Sequence, residues 1–134
     1  MKISHIEALK AMEIFLDKYY LRDKSNDLGL LLSDISLDTF TGEATADPAA
    51  WEDWEDAVSI ATNSIEKTFL TEFEAYKAMV NFLRAFGLRI NSQDIENLLK
   101  EVLIDNTDYK PHQEPWLFWQ QCLKDVKNLP QENL

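Results

Sequence analysis

Apolar residues recur at three- and four-residue steps along most of this chain, a spacing that predicts helices with one buried face each. Ala8, Leu9, Met12, Phe15, Leu16 and Tyr19 form such a stripe over roughly residues 4–20. Ser25 is a good N-cap, with Asp27 in the first turn beside the positive end of the helix dipole, and Leu28, Leu31, Leu32 and Ile35 follow on one face. Asp47-Pro48 pairs an N-cap with a proline at the first helical position. Trp51, Trp54, Val58, Ala61 and Ile65 then share one face. No segment shows the period-two alternation of a strand, and Leu37 to Ala46 and Asp105 to Glu114 read as polar loops.

The same pattern occurs twice. A shift of 67 positions lays Ile3–Ile35 over Leu70–Val102 with 13 identities in 33 positions, among them Glu7/Glu74, Met12/Met79, Phe15/Phe82, Arg22/Arg89, Ser25/Ser92 and Leu31/Leu98. A two-residue deletion continues the register, placing Trp51 and Trp54 on Trp116 and Trp119, with Pro115 opening the last helix over roughly 115–127. The chain thus reads as two tandem three-helix units, residues 1–67 and 68–134. A three-helix unit cannot cover every apolar face it carries, so the units are expected to pack about a pseudo-twofold axis. The result is one all-α domain of about six helices spanning residues 1–134.

Composition narrows the class of function. With 134 residues and 46% hydrophobic positions, a core forms without disulfides, and the single cysteine, Cys122, suits a reducing compartment. The N-terminal stretch interleaves charges with apolar residues, so the protein is expected to begin at Met1, without a signal peptide, and to be cytoplasmic. The net charge of −11 disfavours direct contact with nucleic acid or anionic lipid and favours a basic protein partner. Residues 1–67 carry 6 basic and 14 acidic side chains, a balance of −8, and no Lys or Arg lies between Lys24 and Lys67. Helix surfaces ordinarily intersperse cations with carboxylates, so this stretch tolerates self-repulsion.

Chemistry finds little purchase. The two WxxW pairs continue the apolar stripes and read as core. His5 and His112 have no companions at metal-ligand spacing, and Cys122 beside Trp119 reads as an apolar filler. Gly29, Gly42 and Gly87 are too dispersed for a phosphate loop, and Gly87 is expected to cap its helix. No catalytic residue, metal or cofactor is expected, and the chain reads as a binding protein and not an enzyme.

Two segments, EALKAMEIFLDKYYLRDKSNDLGLLLSDI and ADPAAWEDWEDAV, with the short loop between them, resemble the immunity proteins of bacterial contact-dependent growth inhibition systems. The likeness runs from Glu7 to Val58 and rests on the joint order of Tyr19-Tyr20, Ser25, Asp27, Leu31-Leu32, Asp47-Pro48 and Trp51 to Trp54. The second half keeps EAYKAMVNFL and the Ser92 cap but has Phe86-Gly87 for the tyrosine pair and QEPWLFWQ for the acidic tryptophan segment.

That resemblance implies a protein that binds and silences a cognate toxin domain, commonly a nuclease. A nuclease presents a basic cleft, which an acidic helical face would be steered to and would fill as phosphates do. The candidate face comprises Asp34, Asp38, Glu43, Asp47, Glu52, Asp53, Glu55 and Asp56, with Tyr20 and Phe40 as aromatic anchors. The alternative is an acidic helical adaptor or DNA mimic that engages a basic nucleic-acid-binding protein. The second half is expected mainly to complete the core.

Overall fold

A computed structural model describes residues 1–36, 45, 47–64, 67–103 and 114–128. Within them the chain is all-α, with six helices and one pair of two-residue strands. In order these are β1 (Ile3–Ser4), α1 (His5–Asp23), α2 (Asn26–Ile35), α3 (Pro48–Thr62), β2 (Phe69–Leu70), α4 (Glu72–Ile90), α5 (Gln93–Val102) and α6 (Glu114–Lys127).

Local chemistry fixes where the helices start and stop. Ser4 and Thr71 cap α1 and α4 through the same reciprocal arrangement. Each hydroxyl accepts a backbone N–H three residues on, from Glu7 or Glu74, whose carboxylate accepts the cap residue's own N–H. Ser25, Ser92 and Asp47 cap α2, α5 and α3 as their positions predict. Helices α1, α3 and α4 end on Lys24, Asn63 and Asn91, all in the left-handed region at φ between 51° and 56°.

The halves meet reciprocally. The strands pair antiparallel with Ile3 opposite Leu70, and those two residues are equivalent under the 67-residue shift. Ser25 Oγ donates to Asp94 at 2.8 Å, and the equivalent Ser92 Oγ donates to Asp27 at 2.6 Å. Contacts in which residue i meets j while the equivalent of j meets that of i are what a twofold relation demands. The third helix of each half is exchanged: α3 packs chiefly on α4 of the other half, and α6 packs chiefly on α1. The apolar stripes of the third helices thus close between the units.

One continuous core results. It gathers Ala8, Met12, Phe15 and Leu16 of α1, Ala75, Met79 and Leu83 of α4, and Trp54, Trp116 and Trp119 of the third helices, all essentially inaccessible to water. Its centre is aromatic. Phe15 stacks on Phe118 with centroids 5.4 Å apart, and the Trp119 ring meets Phe15 and Tyr76 edge-on, each at 5.7 Å. Trp51, at the rim, is only half-buried, and Ile65 lies outside the described residues.

Gly87 does not end its helix. It lies buried inside α4, whose cap is Asn91, because this is where α5 comes closest: a Cβ on Gly87 would stand 2.6 Å from Cγ2 of Ile95. In the first half Tyr20 stands at the position of Gly87, and the glycine is on α2 instead: Gly29, one residue beyond the position of Ile95, where a Cβ would meet Tyr20 Cε1 at 2.9 Å. Ile95 is branched at Cβ and buried, so it cannot swing aside. Gly87→Ala is therefore expected to cost about 1–3 kcal/mol in chemical denaturation, despite alanine's better helix propensity. Most of that loss should return in the Gly87→Ala/Ile95→Ala double variant relative to Ile95→Ala alone. A G87A protein as stable as the parent would show that the close approach is relaxed in solution.

Candidate protein-binding face

Helix α3 turns Ala50, Trp54, Ala57, Val58 and Ala61 inward, which leaves Glu52, Glu55, Asp56 and Ile60 on its outer side. The inner side is anchored near the middle of the helix by two hydrogen bonds. Trp54 Nε1 hydrogen-bonds Nδ1 of His5 at 3.0 Å, and Asn81 of α4 donates to the Ala57 carbonyl at 3.2 Å. The acidic side chains therefore stand on a helix whose rotation is fixed, which costs a partner little ordering entropy.

The candidate carboxylates fall into two groups. The Asp47 and Asp53 side chains are turned to internal work, and the half-buried Asp34 carboxylate beside them joins no ion pair among the described residues. Asp47 caps α3 by accepting the Ala49 N–H at 3.0 Å, and its own N–H donates to the Asp34 carbonyl at 3.2 Å. Asp53 accepts a hydrogen bond from the Arg89 guanidinium of α4. Burial, followed by the negative charge of Asp47, raises the Asp34 carboxyl above its ordinary value, with Arg89 opposing the rise. Glu52, Glu55 and Asp56 form the second group: all three are exposed, and none joins an ion pair among the described residues. Like charges three and four residues apart on one helix repel, by a few tenths of a kcal/mol per pair.

Of the aromatic candidates, Tyr20 is half-buried, its ring against Gly29 and 5.9 Å from the Lys24 ammonium. Asp38, Phe40 and Glu43 lie outside the described residues. The residue that sequence reasoning passes over is Arg89. The shift relates it to Arg22, which chelates Glu101 of α5 at 2.5 and 2.8 Å, and Glu101 is in turn equivalent to Asp34. The retained Arg and carboxylate were the available signal. Instead of repeating the Arg22 contact, Arg89 bonds to α3, so the first acidic helix keeps one cation supplied from the other half.

Other chemistry-bearing residues have structural partners. Cys122 is fully buried, and burial, with Asp125 adding to it, pushes its thiol up to about 12, which keeps it protonated at neutral pH. His5 bridges Trp54 to the Lys67 carbonyl, which its Nε2 approaches at 2.7 Å. No cluster of three or more His, Cys, Asp or Glu with metal-site geometry occurs among the described residues. No helix among them is long and apolar enough to cross a membrane. Comparison with protein families, with curated proteins and with solved structures finds no match to this chain.

Proposed function

We propose that this chain is a toxin-neutralising immunity protein that binds the C-terminal toxin domain of a contact-dependent growth inhibition system, with the outer side of α3 as the contact surface. The observation that carries the reading is the exposed, uncompensated trio Glu52, Glu55 and Asp56 on a helix held rigidly by the core. A nuclease active site is built to attract phosphates. A fixed row of carboxylates meets that field with little reorganisation, so encounter is fast and the cleft is blocked to substrate. The sequence resemblance between Glu7 and Val58 supports the same partner class.

The test is co-expression of the tagged protein with the toxin domain encoded beside its gene. The expected result is restored growth and a one-to-one complex whose affinity falls steeply as salt rises. Growth arrest without complex formation would overturn the reading. Retention of a host nucleic-acid-binding protein in place of the toxin would replace it with the adaptor reading.

A further inference from the structure

Glu52, Asp56 and Ile60 stand four residues apart along the outer side of α3, and the row runs into a groove of about 230 Å³. The groove is walled by Ile60 of α3, by Phe73, Lys77, Val80 and Arg84 of α4, and by Leu103 just after α5. Its lips are apolar and open to water, with Ile60 69% and Leu103 44% exposed. The Lys77 ammonium stands 5.1 Å from the Phe73 ring centroid, and neither Lys77 nor Arg84 takes part in an ion pair among the described residues. In a chain of net charge −11, two cations without a carboxylate partner among the described residues stand beside an apolar groove, opposite in sign to the exposed carboxylates of α3.

The other half supplies a contrast. The corresponding groove on α1 is lined by Lys10, Glu13, Ile14, Asp17 and Leu32. Glu13 and Asp17 occupy the positions of Val80 and Arg84 under the 67-residue shift, so that groove is acidic where this one is apolar and basic. The volume also narrows the occupant. Sites for whole small molecules run to about 300–1,000 Å³, and a smaller groove at the end of a charged row suits one anchoring side chain of a protein.

We propose that the groove of Ile60, Phe73 and Leu103 is the anchor pocket of the partner surface: it takes one large apolar side chain of the bound protein, with an adjoining carboxylate meeting Arg84 and Lys77. This rests on the reading of α3 as the binding surface and adds a requirement that a purely basic partner does not meet. The bound segment carries an aromatic or large aliphatic residue next to an acidic one, while basic groups nearby face Glu52 and Asp56.

The test needs no toxin. N-acetyl-phenylalanine is titrated into the full-length, isotope-labelled protein and followed by amide chemical shifts. The expected result is saturable shifts at Ile60, Phe73, Lys77, Arg84 and Leu103, with a dissociation constant on the order of 1 mM and no response around Lys10 to Asp17. The uncharged N-acetyl-phenylalaninamide, and the Lys77→Gln/Arg84→Gln variant with the acid, should each bind roughly fivefold more weakly. Ile60→Asp, at an exposed position that leaves the fold intact, should abolish the shifts. Absence of saturable shifts at about 20 mM, twenty times that dissociation constant, or equal response at both grooves, overturns the proposal while leaving a toxin complex free to form. Micromolar binding also overturns it, by marking a dedicated small-acid site.

Discussion

Replacing Trp119 by alanine is expected to lower the unfolding free energy by roughly 3–5 kcal/mol. Trp119 is wholly buried, donates from Nε1 to the Glu72 carbonyl at 3.1 Å and meets both Phe15 and Tyr76 edge-on. Removing the indole forfeits its transfer free energy and leaves a cavity between α1, α4 and α6. None of those helices can close it freely, because each is tied elsewhere: α1 by Arg22 to Glu101 of α5, α4 by Asn81 and Arg89 to α3, and α6 by the Lys127 contacts to Glu7 and the Lys2 carbonyl. Domains of this size carry only about 5–15 kcal/mol in total, so the variant should sit near the edge of folding. Its midpoint in urea should fall with little change in slope, and its melting temperature should drop by roughly 10–20 °C. Trp51→Ala, at a half-buried position, should cost under about 2 kcal/mol. Equal losses at the two tryptophans would contradict the division into core and rim.

Reversing Glu52, Glu55 and Asp56 to lysine should slow association with the toxin domain by roughly 10- to 100-fold at low salt and leave dissociation nearly unchanged. The three side chains make no ion pair that reversal would break among the described residues, and reversal adds six units of positive charge to a chain of −11, giving −5. Thermal stability should therefore hold or rise slightly. Asp53 is left out deliberately, since a lysine there would face Arg89 and disturb the seam between α3 and α4. Stopped-flow association at several ionic strengths is the deciding measurement. The difference between parent and variant should shrink as salt shortens the Debye length from about 10 Å at 0.1 M. A salt-independent rate, or an effect confined to dissociation, would place the contact elsewhere on the molecule.

Much of the architecture was legible in the residue order because it is written in local chemistry. Ser25, Ser92 and Asp47-Pro48 announce helix starts through side chains that satisfy free N–H groups, and the three- and four-residue spacing of Leu, Phe and Trp marks the buried faces. What escaped depends on which face meets which. The strand pair is two residues long, too short to show a period, and is defined by a partner 67 positions away. Gly87 could be read as a helix stop, since only the arrival of Ile95 explains a glycine in mid-helix. The exchange of third helices leaves no trace in periodicity, because a stripe looks the same whichever helix covers it. The acidic row on α3 was visible as composition. The capping role of Asp47 was visible too, but the engagement of Asp53 was not, because it is made by Arg89, contributed from the other half.

The pairing of α6 with α1 sets the order in which a growing chain can finish itself. Helices α3 and α4 are neighbours in sequence and can associate as soon as both have left the ribosome, whereas α1 must wait for residues 114–127, about 90 residues further on. At about 5–20 residues per second the interval is several seconds, during which Phe15, Met12 and Leu16 lack their cover. A premature stop anywhere before α6 would leave an N-terminal helix with a permanently open apolar stripe, the kind of surface that chaperones and proteases recognise. Completion of this core is thereby set by α6, far along the chain from the acidic face that we assign to its partner.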